Sequence, residues 1–78
     1  MPSLNIAGNG YGGTQKSIVK SGYTAIAVAG AYSGNGYAAL IQADINNSAD
    51  MGYITLKNLS SAALNVTGAT LRILYRKN

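Results

Sequence analysis

The sequence predicts an all-β domain, a small antiparallel sandwich or barrel, and three observations carry that prediction. Apolar residues recur at every second position over short runs, as on half-buried strands. Glu is absent, and the runs favour Val, Ile, Tyr and Leu over strong helix formers. Clusters of Gly, Asn and Ser then break the runs at close, regular spacing.

Taken in order, Leu4 and Ile6 alternate with Asn5 and place the first strand at 4–7. Gly8-Asn9-Gly10-Tyr11-Gly12-Gly13 reads as a loop, followed by a strand at 14–20. A third strand, 23–31, sets Ile26 and Val28 on one face and small alanines on the other. Ser33-Gly34-Asn35-Gly36 is a turn whose Asn-Gly pair suits positive φ at both central positions. A strand at 37–45 follows, then the turn formers Asn46-Asn47-Ser48. The strand at 52–58 points Ile54 and Leu56 one way and Tyr53, Thr55 and Lys57 the other. After Asn58-Leu59-Ser60-Ser61 comes the last run, 62–76, in which the apolar phase slips by one residue between Val66 and Ala69. Gly68 lies in that gap. A bulge or bend there keeps both halves facing the core; two separate strands are the other solution.

Size and composition constrain what such a fold needs. A domain of 78 residues buries a modest share of its surface and leans on disulfides, a metal or association. With neither Cys nor His, disulfides and zinc are ruled out, which leaves association with other copies. Charged residues make up 10% of the chain against 47% hydrophobic, so its surface is Ser, Thr, Asn, Gln and Gly, suited to burial against protein. The net charge of +4 gathers only at Arg76-Lys77, with Arg72 nearby and Lys16, Lys20 and Lys57 dispersed. Nucleic-acid binders cluster basic residues on one face, so no nucleic-acid partner is implied. The longest uncharged stretch, residues 21–43, is broken by Gly, Ser, Asn and Gln and is not apolar enough to span a bilayer, and no signal-like segment opens the sequence.

Motifs for chemistry fail on context. Gly8, Gly10 and Gly13 match the spacing of a dinucleotide-binding loop, but that loop must open a helix within a βαβ unit, and a strand follows here. General acid–base catalysis has only Asp44 and Asp50 to draw on, and a hydroxyl nucleophile finds no histidine partner. An enzyme is therefore not expected, and no cofactor is implied. Asp44, Asn46, Ser48 and Asp50 echo the first oxygen ligands of a calcium loop. That pattern departs at Ala49, where glycine belongs, and at Thr55, where a bidentate Glu belongs. Turn chemistry explains the segment without metal. The Asn-x-Ser/Thr triplets at 46, 58 and 65 read as accidents of an Asn-rich composition.

The six tyrosines read mainly as half-buried strand-edge residues, rings packed and hydroxyls reaching water. Those beside the glycine loops are the candidates for ligand contact: Tyr11, Tyr32 and Tyr37, together with Asn35. Gly8-Asn9-Gly10-Tyr11 and Gly34-Asn35-Gly36-Tyr37 are the same tetrapeptide, an echo read as convergent turn chemistry.

From Ser21 onward the chain resembles the small C-terminal β-modules of phage and prophage tail-fibre proteins. The resemblance rests on Gly22-Tyr23-Thr24-Ala25-Ile26-Ala27-Val28 and the glycine–asparagine loop after it, on Asn58-Leu59-Ser60-Ser61-Ala62, and on Ile73-Leu74-Tyr75-Arg76-Lys77. It covers residues 21–78; residues 1–20 add N-terminal strands and the glycine-rich loop to the same single domain. The resemblance implies a compact, jelly-roll-like antiparallel β-sandwich, trimeric about a fibre axis, in a virion assembled in the bacterial cytoplasm. It further implies association with other virion proteins and binding of a host-surface receptor such as a glycan through the loops. It carries no catalytic residue. Tail fibres are far longer than this chain, so a capsid decoration or head-fibre protein without a ligand stands as the alternative.

Overall fold

A computed structural model describes all 78 residues as seven strands without a helix. They are β1 (Leu4–Ile6), β2 (Tyr11–Ser17), β3 (Tyr23–Tyr32), β4 (Ala38–Ile45), β5 (Met51–Asn58), β6 (Leu64–Val66) and β7 (Thr70–Lys77). Every pairing is antiparallel, in three sheets of order β2-β5-β4, β3-β7 and β1-β6. The three-stranded sheet forms one layer of a small sandwich-like body, and the two ribbons supply the side chains that cover it. The body is elongated, 46 × 18 × 16 Å.

The central strand β5 shows the cleanest alternation. Gly52, Ile54, Leu56 and Asn58 are buried, while Met51, Tyr53, Thr55 and Lys57 are half-exposed on the outer face. Ile54 and Leu56 join Ile6, Ala38, Val66 and Ala69 in one cluster, to which Leu4, Ala31, Ala43 and Leu64 are packed. Side chains from both ribbons therefore meet the inner face of β5. Burying each large aliphatic chain of this cluster contributes about 1.5–3 kcal/mol. The cluster is small, as the sequence length requires.

The run 62–76 resolves into two strands. β6 pairs with β1 and β7 with β3, so the chain changes partner between Val66 and Thr70. The phase slip is the mark of this crossing: Val66 and Ala69 are both buried although they stand at opposite parity. Gly68 lies in the crossing as expected, but its φ is not positive. The left-handed glycine is Gly34, at φ 69°, packed back to back with Gly68. A Cβ on Gly34 would fall 2.1 Å from the Gly68 carbonyl oxygen. That also corrects the expected turn, since neither Asn35 nor Gly36 adopts positive φ. Instead the Ser33 hydroxyl donates to the Asn35 carbonyl, and Asn35 Oδ1 accepts the Tyr37 N–H at 2.9 Å.

Two further expectations are revised. β2 begins at Tyr11 and runs through Gly12 and Gly13, which the sequence suggested as loop, and it ends before Ile18. Ile26 and Val28 do not share a face, because the register of β3 against β7 shifts at Ala25/Ala27 and again at Val28/Gly30. Those bulges turn Ala25 inward, where it is buried, and leave Ile26 about half exposed.

Candidate functional site

Strand directions sort the molecule into two ends. At one end lie the start of β2, the finish of β3, the start of β4 and the finish of β5. Both Gly-Asn-Gly-Tyr segments are here, and β5 holds both of them. The Asn58 N–H donates to the Gly10 carbonyl at 2.9 Å, and the Leu59 N–H donates to the Tyr37 carbonyl at 2.7 Å. The Asn9 N–H reaches Ser60 O at 2.8 Å. The two copies turn differently, with Asn9 left-handed in one and Gly34 in the other, yet each delivers a tyrosine to a flank of the same strand end.

Asn58 organises this end. It is fully buried, and its Nδ2 donates to the carbonyls of Ile6, Ala7 and Ala62 at 3.1, 3.2 and 2.8 Å. Its Oδ1 accepts the Ser60 N–H at 2.8 Å, an Asx turn, and Ser60 Oγ in turn accepts the Ala62 N–H. Such a group costs several kcal/mol to bury unless it is satisfied, and here every polar atom has a partner. The Asn-Leu-Ser-Ser segment is thus a structural knot.

Around this knot the apolar rings stand in solvent. Tyr11 is 64% exposed, Tyr37 66%, Tyr32 55% and Leu59 57%. Sequence reasoning favoured packed strand-edge rings; four of the six tyrosines, including Tyr23, are exposed instead. Tyr11 and Tyr32 lie on outward strand faces, Tyr37 stands in the β3–β4 turn, and Tyr23 sits at the start of β3 against Tyr75. Tyr11 pairs across the sheet with Lys57, whose ammonium lies 5.2 Å from the ring centroid, a cation–π contact. Lys57 in turn pairs with Ala39, so Tyr11 and the start of β4 are separated by two strand spacings, roughly 10 Å. Tyr32 and Asn35 belong to the neighbouring β3–β4 connection. Asn35 Oδ1 is engaged in the turn, accepting the Tyr37 N–H, and the residue is half-buried.

Sequence reasoning missed a groove on the outer face of β2 and β5. It measures about 390 Å³ and is lined by Gly13, Thr14, Gln15, Tyr53, Ile54 and Thr55. The Gly12-Gly13 pair was its only trace in the sequence, and reading those glycines as loop concealed it.

Six of the eight charged side chains gather at the opposite end; Lys57 and Arg72 do not. Lys16, Lys20, Arg76 and Lys77 lie here with Asp44 and Asp50, as the pairings Tyr23–Lys77 and Asp44–Tyr53 place them. Lys20 Nζ sits 4.4 Å from the Tyr23 centroid and 5.3 Å from that of Tyr75, and these two rings meet edge to face. The Tyr75 hydroxyl donates to the Ile18 carbonyl at 2.7 Å. The calcium-like segment is here too. Asn46 Oδ1 accepts the N–H groups of Asp50 and Met51 at 3.0 and 3.1 Å, and Asn46 Nδ2 donates to the Asp50 carboxylate. Asp44 accepts its neighbour's Ile45 N–H. Asn46 and Asp50 thus close the turn, with Ala49 in the left-handed region at φ 56°, while Asp44 lies in β4 opposite Tyr53.

Compared with protein-family models, curated proteins and solved structures, the chain matches none.

Proposed function

We propose that this chain is a non-enzymatic structural module of a phage virion, of the tail-fibre tip type, contacting the host surface through its tyrosine-bearing end. The observation that carries the proposal is the convergence of both Gly-Asn-Gly-Tyr turns on one strand end. Exposed rings stand there on a hydrogen-bonded scaffold, while most of the charge lies at the far end of a 46 Å body. Tyrosine offers a large amphipathic contact area at low entropic cost, which suits a surface that must grip without a deep pocket. The resemblance of residues 21–78 to tail-fibre modules gives the same reading from the sequence. Self-association, to a closed homotrimer, belongs to this proposal, as does attachment to other virion proteins.

Tyr11→Ala and Tyr37→Ala, made separately, test it. Both variants should fold, because both rings are exposed, and at least one should weaken adhesion of the labelled protein to host cells several-fold. If both fold and adhesion is untouched, the capsid-decoration alternative takes its place.

A further inference from the structure

Only Asn9 and Asn35 are followed by glycine, each within the same Gly-Asn-Gly-Tyr tetrapeptide. An asparagine in that position carries latent chemistry. The next peptide nitrogen, with no side chain beside it, can reach the amide carbon and close a succinimide ring. The local sequence makes the two sites alike, and the fold makes them different.

At Asn9 the attacking nitrogen is occupied. The Gly10 N–H donates to the Ala7 carbonyl at 2.9 Å, the Gly10 carbonyl accepts the Asn58 N–H at 2.9 Å, and the Asn9 N–H donates to Ser60 O. Asn9 itself is fixed in the left-handed region at φ 58°. A Cβ on Gly10 would lie 3.0 Å from the Ala7 carbonyl oxygen, so the backbone has little room to turn. At Asn35 the corresponding Gly36 N–H donates to no acceptor. The turn is closed around it, by the Ala38 N–H on the Asn35 carbonyl at 3.2 Å and the Tyr37 N–H on Asn35 Oδ1 at 2.9 Å. Gly36 is exposed, and a Cβ there would meet nothing within 4 Å. The Tyr37 N–H also sits on the oxygen that gains negative charge when the Asn35 amide carbon becomes tetrahedral. A bond that closes the turn therefore also favours attack on that carbon.

We infer that Asn35 is a site of spontaneous modification, deamidation through a succinimide, and that the fold protects Asn9 from the same reaction. The Gly36 nitrogen loses its proton to solvent and bonds to Asn35 Cγ. The Cγ–Nδ2 bond breaks, and ammonia leaves with a proton taken from solvent. Water then opens the ring, at Cγ to give aspartate or at the main-chain carbonyl to give isoaspartate. The sum is water consumed and ammonia released, with no change of oxidation state. Either product sets a carboxylate in the connection between Tyr32 and Tyr37. Isoaspartate also adds a methylene to the main chain of the turn, which displaces the acceptor of the Tyr37 N–H. None of this depends on the adhesion function proposed above.

The test holds purified protein at mildly alkaline pH and follows both positions by peptide mapping and mass spectrometry, with an isoaspartyl methylation assay for the rearranged product. In native buffer Asn35 should convert about tenfold or more faster than Asn9, the factor that one held hydrogen bond corresponds to. In urea the two positions should convert at similar rates, which assigns the native difference to the fold. Gly36→Ala sets a methyl beside the attacking nitrogen and should slow conversion at Asn35 severalfold. Asn35→Gln, which would have to close a larger ring, supplies the same comparison should the alanine variant fold poorly. Native rates that are equal, or faster at Asn9, overturn the inference. So does native protein in which Asn35 stays intact while the urea-treated chain converts at both positions, or a Gly36→Ala protein that converts as fast as wild type.

Discussion

Asn58 shows how much one side chain decides in a protein with so little core. Replacing it with Ala leaves the buried carbonyl of Ile6, the partly buried carbonyls of Ala7 and Ala62 and the Ser60 N–H without their partner. An unpaired buried polar group costs about 1–3 kcal/mol, so Asn58→Ala should lose about 2–4 kcal/mol in a denaturant titration. Asn58→Asp keeps an acceptor for Ser60 but loses the donor and sets a charge against three carbonyls, so it should be no better. An Asp variant as stable as wild type would show that the donor bonds carry nothing. None of this was legible in the sequence, where Asn58-Leu59-Ser60-Ser61 read as one more polar turn. Burial of an asparagine depends on what crosses over it, here β1 and the 59–63 segment from opposite ends of the chain.

At the scale of elements, the strands were legible wherever one face alone was buried. β5 alternates without fault and its core face was read correctly as Ile54 and Leu56. Reading failed where the chain breaks period two to change direction or partner. The bulges in β3 reverse the sides of Ala25 and Ile26, and β2 runs through two glycines because β1 packs against Gly12. The phase slip between Val66 and Ala69 was visible, but the residue that adopts the left-handed turn is its contact partner Gly34, thirty-four positions away. The β3–β4 turn and the β6–β7 crossing are therefore locked backbone to backbone, which makes a prediction about both. Gly34→Ala combines a positive φ with a Cβ 2.1 Å from a carbonyl oxygen, and should cost about 2 kcal/mol or more. Gly36→Ala, two residues on, meets open space at an ordinary φ and should lie within about 0.5 kcal/mol of wild type. Equal melting temperatures for the two variants would mean that the turn and the crossing are not coupled as described.

For the whole molecule the controlling fact is the mismatch between core and apolar surface. Five side chains are essentially sealed from solvent, whereas ten large hydrophobic residues are exposed, among them Ile26, Leu40, Ile41 and Leu74 at 49, 43, 52 and 50%. Scattered apolar residues are normal, but a short chain without staples that leaves this many outside gains most by covering them with copies of itself. Several sheet edges are guarded against open-ended strand addition, whereas β2 pairs in unbroken register and carries only Lys16. β3 carries two bulges, β4 one, and β7 has Arg72, Arg76 and Lys77 along its length, the usual guards of an edge. Closed association through faces is the route the proposed trimer takes. The outer face of β3 and β7, where Leu74 pairs with Ala27 next to the bulged Ile26, offers an apolar surface for it, flanked by Arg72 and Arg76. Leu74→Glu tests both parts of that argument. The side chain is half in solvent, so the isolated subunit should keep its β-sheet circular dichroism. A carboxylate buried between copies without a partner costs several kcal/mol, enough to move the equilibrium to monomer at micromolar concentration. Native mass spectrometry and sedimentation should therefore show a trimer for wild type and a folded monomer for the variant. A wild-type monomer at that concentration defeats the association argument itself. A variant that stays trimeric leaves association standing and shifts the contact to the bulged edge of β4, where Ile41→Glu becomes the substitution that must separate the copies.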